Sequence, residues 1–189
     1  VPATFAWQDR TVLTASVHVI TGIQAAGKST VAQALAERLP GRTVHVHGDQ
    51  FRRWIVGGRA EMTPDAGPEA VRQLRLRHLL TARTADTYAD AGFAVVAQDV
   101  VLGTELPALV AAIRTRPLHV VVLTPRPDAV AAREAGRGKQ AYGPWTVEAL
   151  DEALRAETPR VGLWLDTSDL TVDETVEEIL NRPDESRVA

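Results

Sequence analysis

The chain contains no cysteine. That single absence removes disulfide staples, thiolate nucleophiles and cysteine-ligated zinc, and it is the pattern expected of a protein in a reducing compartment. Lysine is nearly missing too: Lys28 and Lys139 are the only two, although arginine is plentiful. No apolar run approaches the ~20 residues needed to span a bilayer, and no charged-then-apolar leader opens the chain, so a cytoplasmic location without membrane partners is the expectation. An excess of one charge is absent as well. The formal net charge of −3 provides no broad electrostatic footprint for nucleic acid, which makes a nucleic-acid partner the less favoured reading.

What is present points to one domain. At 189 residues and 45% hydrophobic, the chain can bury one sizeable core and is short for two, so residues 1–189 are read as a single unit. The most informative stretch is Val17 to Thr30. A β-branched run leads into Gly22-Ile23-Gln24-Ala25-Ala26-Gly27-Lys28-Ser29, which fits G-x-x-x-x-G-K-[ST], and a helix-forming sequence follows. Such a loop curls until several backbone N–H groups point inward at phosphate oxygens, with the positive end of the next helix behind them. Gly22 and Gly27 permit the curl, and the N–H groups from Gln24, Ala25, Ala26 and Thr30 add to the cradle. Lys28 would reach the β/γ-phosphates, and the Ser29 hydroxyl would be a ligand of Mg²⁺.

Strands and helices alternate along the rest of the chain. Strands are predicted at Val17–Thr21, Thr43–His47, Phe93–Gln98, Leu118–Leu123 and Val161–Leu165. Between them lie helices over about 28–39, a short one through Phe51 and Trp54, a long one from Pro68 to about Ala91, and others over 104–114, around 130–134 and from Thr146 to about Thr158. Thr171 with Glu174 forms a capping-box pair that opens a last helix. The tail after Pro183 reads as frayed, and residues 1–16 as a leading arm packed on the domain. This alternation predicts an α/β fold: a five-stranded parallel sheet flanked by helices.

Ligands of parallel sheets bind beyond the carboxyl ends of the strands, so acidic residues there become candidates. Asp49 follows the second strand and would orient, or deprotonate, an acceptor hydroxyl; it equally suits a helix N-cap. Asp99 follows the third strand, where a carboxylate would act on Mg²⁺ directly or through water, or touch substrate. Arg133 and Arg137, with Lys139, lie in or beside a glycine-rich flap that could bring positive charge onto a transferred phosphoryl group. Thr167 and Ser168, after the fifth strand, could meet the nucleotide base. Between Gly57 and Pro68 a breaker-rich stretch reads as a mobile substrate loop, so residues 49–83 are read as the substrate region, with Arg52, Arg53 and Arg75 as substrate contacts. For any one arginine along the long helix, Arg72, Arg75, Arg77 or Arg83, a solvated face is the default. His45 and His47 alternate on one strand without a third partner at metal-ligand spacing, so they read as satisfied core histidines.

These elements together resemble the small P-loop kinases: the loop at 22–29, Gly48-Asp49, Gln98-Asp99, Arg126-Pro127 to Gly138 as a lid, and Leu165-Asp166-Thr167-Ser168. Among them the chain looks most like the chloramphenicol phosphotransferase-like group. The resemblance implies the P-loop kinase fold with a small lid over about 126–145, ATP (or GTP) and Mg²⁺ as cofactors, and Asp49 acting on the substrate hydroxyl. It also implies Arg133 and Arg137 on the phosphates and Thr167 and Ser168 beside the adenine. The expected activity is transfer of the γ-phosphate to a hydroxyl of a small molecule, an antibiotic or other metabolite. A nucleoside, nucleotide or polynucleotide 5′-kinase is the second expectation, and a non-catalytic nucleotide-dependent switch is an alternative of another class.

Overall fold

The computed structural model describes residues 15–135 and 145–189. The arm before residue 15 and most of the expected flap, with Arg137 and Lys139, lie outside the described residues. Strand β1 (Val17–Gly22) runs into the phosphate loop, and α1 (Lys28–Arg38) leaves it. Then come β2 (Thr43–His47), α2 (Asp49–Arg53), α3 (Pro68–Asp90), β3 (Ala94–Gln98), α4 (Glu105–Ala112) and β4 (Leu118–Leu123). The chain continues through α5 (Pro127–Ala135), α6 (Val147–Glu152) with a π-helical turn at Ala153–Glu157, β5 (Leu163–Leu165) and α7 (Val172–Asn181). A short α8 (Pro183–Ser186) and β6 (Arg187–Val188) close it.

The sheet order is β2-β3-β1-β4-β5, all parallel, so the fold class expected from the alternation is the one observed. Burial explains the residue choice. β1 and β4 lie inside the sheet with helices on both faces, and every residue of each is buried, which suits uninterrupted β-branched and leucine runs. Helix α1 packs on α7, and α3 packs on α4. With the right-handed crossovers usual for such units, these pairs cover opposite faces of the sheet. Several local signals operate as read: Pro68 begins α3, the Thr146 hydroxyl caps α6, and Thr171 and Glu174 close a full capping box on α7.

Three expectations need correction. The tail after Pro183 is not frayed: α8 returns the chain so that β6 pairs antiparallel with β4, Val188 opposite Leu118, making a sixth strand. This is possible because β5 is only three residues long and leaves the lower edge of β4 open. The histidines of β2 are not core residues, because β2 is an edge strand. His47 is exposed; His45 is half-buried, with Nδ1 2.9 Å from Gln33 Oε1. Arg77 is not on a solvated face of α3, for its side chain is 12% exposed. Among the described residues, no helix is long and apolar enough to cross a membrane.

Candidate nucleotide and acceptor site

The strand order reverses at β1, whose neighbours β3 and β4 are reached by crossovers in opposite directions, and a crevice opens beyond its carboxyl end. The loop of residues 22–29 occupies that point. Gly22 has φ 145°, and a Cβ there would stand 2.6 Å from the Leu123 carbonyl oxygen of the adjacent strand, so no other residue fits without moving β4. Ala25 adopts a left-handed φ of 58°, a strained choice for a residue with a side chain and one found where function over-determines the backbone. Gly27, with φ 94°, precedes α1, whose first turn has neither a side-chain cap nor an acidic residue. The orphan N–H groups and the positive end of the helix therefore face the crevice. Lys28 is only 8% exposed, and its Nζ donates to the Ile23 carbonyl at 2.6 Å, folding the ammonium back over the loop. The Ser29 and Thr30 side chains are exposed at the helix start.

One side of the loop is tied to the end of the sheet. Arg133, from α5, donates to the Ala26 carbonyl at 3.4 Å and to the Thr167 carbonyl at 2.5 Å. It thereby joins three of the expected nucleotide residues in one place. Thr167 is buried with an unpartnered hydroxyl. The Ser168 hydroxyl, by contrast, donates to Asp166 and accepts from the Arg126 backbone N–H at 2.7 Å, so it serves the turn itself.

On the other side stand the carboxylates. Asp49 does not cap α2; Gly48 holds the cap position, and Asp49 is the first helical residue. Its oxygens accept from Arg53 Nε at 2.7 Å and Arg52 Nε at 3.2 Å, with Arg77 Nη1 at 3.8 Å. Burial works to raise its pKa, but the hydrogen bonds from Arg53 and Arg52 outweigh it, and the pKa lies below the usual carboxylate value. Asp99 differs. It is 5% exposed, its Oδ1 accepts from the Val100 N–H at 2.8 Å, and Arg77 Nε lies 2.9 Å from Oδ2. That last approach is poorly aligned, and neither Arg77 Nε nor Asp99 Oδ2 makes a hydrogen bond. Burial pushes the Asp99 pKa up against the pull of Arg77, His78 and Lys28. Gly48 makes this position possible: a Cβ there would fall 2.2 Å from Asp99 Oδ2.

Arg77 is the residue that sequence reasoning passed over, and Arg75 the one it favoured. Arg75 instead pairs with Glu105 of α4 at 3.0 Å. Two residues along a helix are about 200° apart around its axis, so only one of the pair can face the carboxylates. The buried Asp99 would have been the signal, because a carboxylate kept from water calls for a cationic partner. Trp54 (70% exposed), Val56 (99%) and Met62 (37%) lie in the region from α2 into the α2–α3 connection, next to Asp49 in sequence. Trp145 Nε1 donates to the Met62 carbonyl at 2.9 Å, linking the far end of the flap to that connection. Among the described residues, no cluster of three or more His, Asp or Glu could hold a metal unaided. Mg²⁺ in phosphate sites needs no such cage, since phosphates and waters supply most of its ligands; among the described residues, the exposed Ser29 hydroxyl and the Asp99 carboxylate, which is ion-paired with Arg77, are the oxygens nearest such a role.

Residues 17–172 match the family model described as an AAA domain, which covers most of the chain; the protein belongs to this family. A curated relative, the tRNA dimethylallyltransferase of Halorhodospira halophila, is 36% identical over 174 residues, covering 83% of this chain and 51% of the relative. The chain thus spans about half the length of that protein. Among solved structures, a sugar kinase from Janibacter sp. HTCC2649 superposes with a TM-score of 0.63 at 17% identity, covering 92% of this chain and 96% of that one. The tunicamycin resistance protein of Deinococcus radiodurans gives 0.61 at 16%, covering 93% and 99%. At such identities the structures establish the fold, which is that of the small P-loop kinases; the narrower chloramphenicol phosphotransferase-like kinship stays a resemblance.

Proposed function

We propose that this member of the AAA domain family is an ATP-dependent phosphotransferase that moves the γ-phosphate to a hydroxyl of a small molecule. The observation that carries the reading is the two-sided arrangement about the loop. Arg133 bridges Ala26 and Thr167 on the side suited to a nucleotide, while Asp49, Arg77 and Asp99 cluster on the side suited to an acceptor. Phosphoryl transfer asks mainly for alignment and charge neutralisation, both of which this set of groups can supply.

Lys28 and the loop N–H groups would hold the β- and γ-phosphates, and Arg133 would neutralise charge on the transferred group. Ser29 would hold Mg²⁺, with Asp99 acting through a water; the ion would supply bridging positive charge to the phosphates. Asp49, held by arginines and weakly basic, would orient the acceptor hydroxyl and take its proton late. The exposed Trp54 and Met62 near Asp49 favour an acceptor with some apolar surface. Kinase relatives of the fold act on small molecules by name, among them the sugar kinase and an APS kinase solved with AMPPNP and APS.

The test is ADP release with Mg²⁺-ATP over a panel of hydroxylated metabolites and antibiotics, with mass spectrometry of the products. Turnover above the water background with a gain of one phosphate on an acceptor is expected; a panel that never exceeds that background would sink the proposal. A second reading, transfer of a dimethylallyl group to tRNA, draws on the 36% identical relative. It predicts tight, salt-dependent tRNA binding, which a chain of net charge −3 does not favour.

A further inference from the structure

Arg77 is carried from the middle of α3 to the ends of two strands, and its three side-chain nitrogens face three different groups. Nε lies 2.9 Å from Asp99 Oδ2 beyond β3, Nη1 lies 3.8 Å from Asp49 Oδ1 beyond β2, and Nη2 donates to the Val100 carbonyl at 3.4 Å. The next residue is fixed in turn to the strand that leads into the phosphate loop. The Thr21 hydroxyl, one residue before Gly22, donates to the Val101 carbonyl at 3.2 Å and accepts from the Val101 N–H at 3.0 Å. Asp99 is therefore held on both sides: Oδ1 accepts from the Val100 N–H, Oδ2 faces Arg77, and Lys28 is near enough to pull on its charge. Asp49 has less to hold it. It stands just past an edge strand, and Arg52 and Arg53 lie on its own short helix and move with it. Among the described residues, Arg77 is the cationic side chain that reaches Asp49 from another element.

We propose that Arg77 is a positioning residue of the transfer, a planar bridge that fixes the acceptor-side Asp49 against Asp99 and the strand entering the phosphate loop. The proposal rests on the phosphotransferase reading. A guanidinium suits the task because its donors lie in one plane and can face two carboxylates at once, whereas an ammonium is a point charge that must choose between them. Phosphoryl transfer depends on alignment of donor and acceptor, and a displacement of about 1 Å can cost about a hundredfold in rate. The groups that would hold the nucleotide are the loop, Arg133 and Thr167, so its affinity should not depend on the bridge.

The variant is Arg77→Lys, which keeps a positive charge beside Asp99 and loses the fork. With the acceptor that the metabolite panel identifies, kcat should fall by about tenfold or more while the KM for ATP stays within about threefold. A smaller fall in kcat, or a rise in the KM for ATP to match it, overturns the proposal. A second arm needs no turnover. In urea unfolding at pH 7.5, Arg77→Lys should be non-additive with Asp49→Asn, and likewise with Asp99→Asn, by about threefold or more in the unfolding constant. Additivity with Asp49→Asn means that Arg77 serves Asp99 alone, and it overturns the bridge. A third reading stands even where Arg77→Lys fails to fold: the Arg77 Nε–H resonance should shift in Asp49→Asn as well as in Asp99→Asn, and a resonance unmoved by Asp49→Asn overturns the bridge. If the unmodified protein phosphorylates nothing, the phosphotransferase reading falls and the positioning role with it, whereas the unfolding cycle still decides whether the bridge exists.

Discussion

Strands β1 and β4 run side by side from Val17 opposite Leu118 to Gly22 opposite Leu123, and their two ends have opposite fates. At the carboxyl end the chain gathers positive charge about the uncapped start of α1: Lys28 folded back over the loop, and Arg133 close behind. At the amino end it closes every opening. His18 lies opposite His119 in the register, and their rings stack 4.6 Å apart and nearly parallel. The Ser186 hydroxyl donates to the Pro183 carbonyl and so accepts from His119 Nδ1, 2.8 Å away, while β6 covers the edge. Burial first, and the neighbouring His119 second, lower the His18 pKa from 6.5 to about 3. One end leaves the uncapped start of α1 open; the other buries a stacked histidine pair beneath α8 and β6. The difference assigns function to the end of a strand rather than to the strand.

Breaking the ligand end should have the largest effect. Asp49→Asn is expected to lower turnover by about a hundred- to ten-thousand-fold while leaving nucleotide affinity within about threefold. Steady-state kinetics alongside nucleotide titration checks this, and turnover within tenfold of the unmodified protein would remove Asp49 from the mechanism. Gly22→Ala attacks the frame beneath it. Its Cβ must push the Leu123 carbonyl away, so about 2 kcal/mol of stability should be lost, a fall in Tm of about 4–8 °C.

At the amino end the expected changes concern stability alone. His18 is held neutral in the fold, whereas the unfolded chain binds a proton below pH 6.5. Stability should therefore be insensitive to this group above pH 6.5 and fall at about 1.4 kcal/mol per pH unit below it, until the folded pKa near 3 is reached. The His18 share of the stability lost between pH 7.5 and 4.5 in urea unfolding should be about 2–3 kcal/mol, added to that of His45, whose pKa is also lowered, so the loss in His18→Gln should be smaller by about that amount; an undiminished loss in that variant would place the titration elsewhere. Ser186→Ala, which removes the partner of His119, should cost about 1 kcal/mol and leave nucleotide affinity unchanged.

Features governed by neighbours in the chain were legible beforehand. The phosphate loop, the alternation of strands and helices, Pro68 at the start of α3 and the Thr171–Glu174 box all depend on spacings of a few residues. The placement of candidate residues was legible where they follow strands: Asp49, Asp99 and Thr167 lie beyond the carboxyl ends of β2, β3 and β5, while Arg133 reaches the same crevice from α5. The choice between Arg75 and Arg77 was not legible, because a helix of mixed apolar pattern does not announce which face meets a carboxylate from another strand. Nor was the reason for Gly48, whose φ is unremarkable and whose need for a hydrogen side chain comes wholly from Asp99 pressed against it.

Taken alone, the sequence determined the strand–loop–helix that can cradle phosphates and the parallel α/β class around it, because both are set by local backbone preference and the period of the apolar residues. Tertiary structure decided the rest. It chose Arg77 as partner to the acidic pair, stacked His18 on His119, and folded the last residues back onto β4. Each of these joins groups far apart in the chain, where burial, and not spacing, settles what must be paired.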